Sequence, residues 1–164
     1  MKGLLAQALL NRPLSEPIER AVLELSQAAR ARLGRSLSIR EIDAGSCNGC
    51  ELEIIALNNP HYDLERFGLK FVASPRHADI LLVTGPVTRN MREALLRTYH
   101  AAPHPKWVVA AGDCAKDGGC FAGSAAIIGG VDQIVPVDLQ IPGCPPRPLE
   151  LLRGLLALMD AINA

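Results

Sequence analysis

Aromatic residues are scarce, only 4% of 164, so any core must be built from Leu, Ile, Val and Ala rather than from rings. Charge of one sign is missing too, since 17 Lys plus Arg balance 17 Asp plus Glu. Without a basic excess or an interleaved aromatic motif, the footprint of a nucleic-acid-binding protein is absent, and no nucleic acid is expected as a partner. Long apolar runs are also lacking. Residues 107 to 111, and the stretch 151 to 159 that Arg153 and Gly154 interrupt, fall far short of the ~20 residues of a spanning helix. Residues 4 to 10 imitate a short signal core, but Gln7 breaks it. Asn11-Arg12-Pro13 follows with neither a small-residue cleavage site nor paired arginines. The segment reads as mature sequence, either a short helix lying at a membrane surface or a frayed terminus. The remaining composition, 49% apolar and 21% charged, is that of one globular domain with a real core.

Residues 15 to 33 have helical spacing, with Ser15 as N-cap, Pro17 in the first turn, Val22, Leu25 and Ala29 on one side, and Gly34 as the stop. Short apolar strands are predicted at 37 to 42, 70 to 73, 80 to 83, 107 to 110 and 134 to 139. Helices are predicted from about Glu51, over 88 to 101 and over 148 to 162. Continuously apolar strands alternating with helices imply a parallel sheet covered on both faces, an α/β fold in three layers.

Five cysteines cannot pair completely within the chain, and in a reducing compartment cysteines hold metal or do redox chemistry. Cys47 and Cys50 form a Cys-x-x-Cys just after the first predicted strand. Cys114 follows the strand ending near Ala111, and Cys144 lies in Ile141-Pro142-Gly143-Cys144-Pro145-Pro146, where another strand gives way to a helix. Loops at the carboxyl ends of parallel strands gather along one edge, so four cysteines from three loops can meet there. Four thiolates suit zinc or an iron–sulfur cluster. Structural zinc favours two close pairs, whereas Cys114 and Cys144 are singletons among glycines and prolines, which favours a 4Fe–4S cluster. Taken alone, strand–Cys-x-x-Cys–helix is equally the arrangement of a thioredoxin-like dithiol. Cys120 reads as a bystander, a small buried hydrophobe. His61, His100 and His104 fall in loops or at helix ends. His77 could relay protons, although a surface or capping role fits it better.

Cys47-Asn48-Gly49-Cys50-Glu51-Leu52-Glu53, Ser74-Pro75-Arg76-His77-Ala78-Asp79, Gly112-Asp113-Cys114-Ala115, Val135-Pro136-Val137-Asp138 and Ile141-Pro142-Gly143-Cys144-Pro145-Pro146 resemble the small subunit of nickel–iron hydrogenases. The likeness, over roughly residues 36 to 160, is to the membrane-bound, energy-converting group that includes formate hydrogenlyase. It extends to the complex I subunit that carries the terminal cluster. This resemblance implies a flavodoxin-like domain over 36–164 behind a helical extension of residues 1–35. It also implies one proximal 4Fe–4S cluster on Cys47, Cys50, Cys114 and Cys144.

The expected partners are a nickel–iron large subunit that holds the catalytic site, a ferredoxin-like iron–sulfur subunit and integral membrane subunits. The expected location is peripheral, on the cytoplasmic side of the cell membrane. The two residues between Cys47 and Cys50 match hydrogenases rather than complex I, where the cysteines are usually adjacent. The chain stops soon after Cys144, so ligands for one cluster only are expected. Some relatives have partners without nickel. Glu51 and Glu53 read as an acidic first helical turn, and no proton role carries over because Leu52 stands where uptake hydrogenases have glutamate.

Overall fold

The computed structural model describes residues 18 to 163. Ile18–Leu33 forms α1, with Val22, Leu25 and Ala29 fully buried at helical spacing. It ends where Gly34, at φ 66°, donates its N–H to the Arg30 carbonyl at 2.9 Å. The expected cap Ser15, Pro17 and the apolar stretch 4 to 10 lie outside the described residues.

Five parallel strands make the sheet: β1 (Ser38–Asp43), β2 (Lys70–Phe71), β3 (Ile80–Thr84), β5 (Trp107–Ala111) and β7 (Leu139–Ile141). Their order is β2-β1-β3-β5-β7, the flavodoxin-like arrangement, and every pairing is parallel. Register runs from Ile39 opposite Ile80 to Asp43 opposite Thr84, and from Ile80 opposite Trp107 to Thr84 opposite Ala111. β1, β3 and β5 therefore end level with one another. Alternation along the strands divides the core in two. Ile39, Ile80, Leu82 and Val109 face α1, α2 (Gly49–Ala56) and α5 (Pro148–Asn163), where Leu57, Leu151, Leu155 and Met159 pack. Ile42, Leu81, Val83, Val108 and Ala110 face Leu95 of α3 (Arg92–Ala101) together with Val87, Val131 and Val135. Helix α1 thus contributes Val22, Leu25 and Ala29 to the same cluster as the sheet.

Four elements differ from the sequence-based expectation. The strand expected over 134 to 139 forms only at Leu139–Ile141. Pro136 has no N–H to give a ladder. Pairing starts at Asp138, whose N–H donates to the Val108 carbonyl at 2.9 Å while its carboxylate accepts the Val108 N–H at 2.7 Å. The helix expected from 88 begins at Arg92, because Val87–Thr88 (β4) instead pairs antiparallel with Ile127–Gly129 (β6). At 70 to 73 only Lys70–Phe71 is strand. A five-residue helix, α4 (Asp113–Asp117), was not expected.

Asp79, buried at the amino end of β3, ties the sheet's lower edge together. Its carboxylate accepts the Ser38 N–H at 2.9 Å and two guanidinium bonds from Arg35 at 2.9 and 2.5 Å, while its carbonyl accepts the Trp107 N–H at 3.0 Å. Removing the carboxylate leaves a buried N–H without its acceptor. Asp79→Ala is therefore expected to cost about 2 kcal/mol of unfolding free energy in urea titrations. A loss below about 0.5 kcal/mol, ordinary for a surface substitution, would contradict this account.

Candidate metal centre

The loop leaving β1 is folded by its own side chains before the first cysteine is reached. Asp43 accepts the N–H groups of Gly45 and Ser46, each at 2.7 Å, and Ser46 Oγ accepts the Asn48 N–H at 3.0 Å. Asn48, at φ 71°, turns the chain into α2. Cys47 is thereby left exposed on the loop, and Cys50 half-buried in the first helical turn. The helix starts two residues before the expected Glu51.

Beyond β5 the chain turns at Gly112, whose φ of 92° is left-handed and whose added Cβ would lie 2.8 Å from Cys50 Sγ. A side chain there would occupy the space the Cys50 sulfur faces. The loop then joins the one after β7. Gly112 N–H donates to the Ile141 carbonyl at 2.8 Å, Asp113 N–H to the Gly143 carbonyl at 2.9 Å, and Asp113 Oδ1 accepts the Gly143 N–H at 2.8 Å. Cys114, one residue on, is buried; Cys144, beside Gly143, is exposed. At Gly49 an added Cβ would stand 3.5 Å from Cys47 Sγ and 3.9 Å from the Pro145 ring, so the first and third loops also touch.

The structure thus brings Cys47, Cys50, Cys114 and Cys144 to the carboxyl edge of one sheet. Electrostatics tie them more closely. Burial first, then the Glu51 carboxylate, then Cys114, Cys47 and Cys144 push the Cys50 thiol up to about 12. Cys114 is pushed up to about 11 by burial, then by Cys120 and Cys144. Both thiols stay protonated at neutral pH until a cation displaces the protons. Among the described residues no three Cys, His, Asp or Glu side chains converge at single-ion spacing. The donor set is four sulfurs around a glycine-lined space, and this chemistry fits an iron–sulfur cluster, for which these four cysteines would be the ligands.

Two features were missed in the sequence. Cys120, expected to be buried, is exposed, and the turn that carries it passes over the Cys114 sulfur, where an added Cβ at Gly119 would lie 2.8 Å from Cys114 Sγ. Asp113 clamps two cysteine loops, and its signal was only an acidic residue beside a cysteine. His77 and His104 lie in the connections entering β3 and β5, and His100 in the last turn of α3, on the amino side of the sheet away from the cysteines. His61 packs edge-on against Tyr62, with ring centroids 5.0 Å apart.

The match to known proteins follows the same residues. Residues 47–158, which include all four cysteines, match the family model described as NADH ubiquinone oxidoreductase, 20 Kd subunit. The chain belongs to this family. It is 46% identical over 151 residues to formate hydrogenlyase subunit 7 of Escherichia coli (strain K12), covering 92% of this chain and 59% of that relative. It is 48% identical over 130 residues to the probable membrane-bound hydrogenase subunit mbhJ of Pyrococcus furiosus, covering 79% of this chain and 78% of the relative. A chain in the solved structure of the membrane-bound sulfane sulfur reductase, an archaeal respiratory membrane complex, superposes with a TM-score of 0.69 at 38% identity. That superposition covers 85% of this chain and 75% of the other.

Acidic groups crowd the centre's first strand. Glu51 buries both carboxylate oxygens without a hydrogen-bond partner. Burial first, then the charges of Glu51 and Asp43, push the Glu41 carboxyl above its usual range, against Arg40 and the Thr84 hydroxyl. A raised folded-state value gives stability that is full below the ordinary carboxylate range and lost as pH rises through the folded-state value. Glu41→Gln in this family member is therefore expected to raise the thermal midpoint at pH 7, with the gain vanishing near about pH 4. An equal effect at both pH values would exclude the electrostatic cause.

Proposed function

We propose that this chain is the electron-transfer small subunit of a membrane-associated nickel–iron hydrogenase complex, holding one 4Fe–4S cluster through Cys47, Cys50, Cys114 and Cys144. The observation that carries this reading is the meeting of four cysteines from three strand-end loops, in a chain of the 20 Kd subunit family. When bound, such a cluster supplies a one-electron carrier whose potential its surroundings set. The residues of this chain hold and insulate it. Cys50 and Cys114 give up their protons to ligate, the glycine at 112 leaves room beside the Cys50 sulfur, and the Asp113–Gly143 clamp fixes the distance between the loops of Cys114 and Cys144.

In this reading the chain is non-catalytic. Four cysteine ligands leave a cluster without an open position, and catalysis belongs to a nickel–iron large subunit. Electrons pass singly between that site and a ferredoxin-like iron–sulfur subunit. Membrane attachment comes through integral membrane subunits, with this chain peripheral on the cytoplasmic side. No described helix is long and apolar enough to cross a membrane. The cluster domain covers 36–164, and α1 (Ile18–Leu33), which precedes it, packs on it through Val22, Leu25 and Ala29. A second reading, a complex I-type subunit with a partner that lacks nickel, is favoured by the family's own description and by the sulfane sulfur reductase neighbour. Nickel in the co-purified large subunit decides between them.

Serine substitution at Cys47, Cys50, Cys114 or Cys144, each in turn, is expected to remove most of the iron and acid-labile sulfide from anaerobically purified protein. Gly112→Ala is expected to lower both in the same direction, by crowding the Cys50 sulfur. Full cluster retention in Cys114→Ser would defeat the ligand assignment. The isolated, iron-replete chain is expected to evolve no hydrogen from reduced viologen, with turnover appearing only when the large subunit is added; turnover by the chain alone would overturn the subunit reading.

A further inference from the structure

Strand β1 is longer than the edge strand beside it. β2 pairs only Lys70 with Ser38 and Phe71 with Ile39, and its last bond runs from the Val72 N–H to the Ile39 carbonyl at 2.8 Å. β1 continues to Asp43 against β3, and among the described residues no strand lies on its other side past Ile39. Backbone groups along β1 alternate between its two neighbours. The Ser38 carbonyl accepts the Asp79 N–H at 2.8 Å and the Ala44 N–H donates to the Thr84 carbonyl at 3.0 Å, both on the β3 side, whereas Ile39 faces β2. Glu41, two residues after Ile39, therefore directs its N–H and C=O to the open side, as an edge strand does. Where β2 stops short, a groove of about 300 Å³ opens. Ile54 and Ile55 of α2 form one wall, Phe71 and Val72 the other, and Arg40 and Glu41 the floor. Ile55 is 64% exposed, and the Arg40 Nε is buried without an acceptor.

Charge around the groove has one sign. From Glu41 to Glu65 the chain has six Asp and Glu and no Lys or Arg, in a sequence that otherwise balances at 17 of each sign. Glu51, whose charge reaches Glu41, buries both of its oxygens without a donor. An extended backbone laid along β1 would pair with the Glu41 N–H and C=O and offer a carbonyl to Arg40 Nε. An apolar side chain on it would cover Ile55 and Phe71, and a Lys or Arg would answer the carboxylates. We infer that the groove beside β1 receives an extended segment of a partner polypeptide, carrying an apolar residue next to a basic one, which completes the sheet at its β2 corner. This inference goes beyond the electron-transfer role and does not depend on the cluster.

The test is amide hydrogen exchange, read residue by residue, on the isolated chain and on the complex that co-purifies with it. The Glu41 amide is expected to exchange fast in the isolated chain and about tenfold more slowly in the complex. The Ile42 amide, on the β3 side, is expected to be slow in both. Ile55→Lys is expected to abolish the slowing at Glu41 and to reduce the partner retained, with an unchanged thermal midpoint. Ile55→Glu is expected to retain more partner than Ile55→Lys. Leu23→Lys, the same change at an exposed residue of α1 outside the groove, is expected to leave retention and exchange as in the wild type. Fast exchange of Glu41 in the complex, or equal losses in Ile55→Lys and Leu23→Lys, would overturn the docking site. Equal or reversed retention in Ile55→Glu and Ile55→Lys would overturn the basic character of the partner segment. Slowing that grows with the concentration of the isolated chain would make the occupant a second copy and overturn the partner. Absence of iron with Glu41 still protected in the complex would defeat only the cluster assignment, so the two failures are distinguishable.

Discussion

Two hydrogen bonds between the loop after β5 and the loop after β7 decide where the cysteines can go. Asp113 N–H donates to the Gly143 carbonyl and Asp113 Oδ1 accepts the Gly143 N–H, at 2.9 and 2.8 Å. They continue the β5–β7 ladder by two residues past Ala111 opposite Ile141. Residues directly beyond this pair are Cys114 on one side and Cys144 on the other. Without the clamp, Cys144 would sit on a proline-flanked loop at a sheet edge with nothing to fix its distance from Cys114. The parallel register supplies the rest, since β1, β3 and β5 end level and the first loop is held against the third.

The cost of this arrangement is a concentration of acidic and sulfur groups at one edge. Burial opposes ionisation of Cys50, Cys114 and Glu41, and the charges of Glu51 and of the neighbouring thiols act in the same direction. Glu51 offers buried oxygens that no donor satisfies. Such an edge is poorly suited to stand empty at neutral pH and well suited to a cationic group that neutralises thiolates. The opposite edge shows the contrast, because the buried Asp79 carboxylate there is matched by Arg35 and a backbone N–H. The polar groups at that edge stabilise the fold, whereas Glu41, Glu51 and the thiols near the carboxyl edge oppose one another.

Most of the architecture was legible because it rests on patterns with a fixed period. The apolar runs at β3 and β5, the helical spacing of α1 and α5, and the position of each cysteine just after a strand could all be read directly. What escaped depends on contacts distant in sequence. Val87–Thr88 is strand only because Ile127–Gly129 pairs with it, and locally the residues from Met91 onward continue a helical pattern. Residues 134 to 137 have strand composition, but Pro136 has no N–H to give, and pairing begins only with the Asp138 bonds to Val108. The clamping role of Asp113 needs a partner thirty residues away. Cys120 looked isolated because its relation to Cys114 depends on two left-handed glycines, and composition does not reveal their φ angles.

The central claim is that the four cysteines are assembled for one multi-iron centre rather than for a disulfide or a single ion. Metal and sulfide analysis of the wild-type chain, purified without oxygen and without added metal, tests it most directly. About four iron and about four acid-labile sulfide per chain are expected, with a brown, dithionite-bleachable absorption. About one zinc per chain without sulfide, or a metal-free protein with a Cys47–Cys50 disulfide, would contradict it.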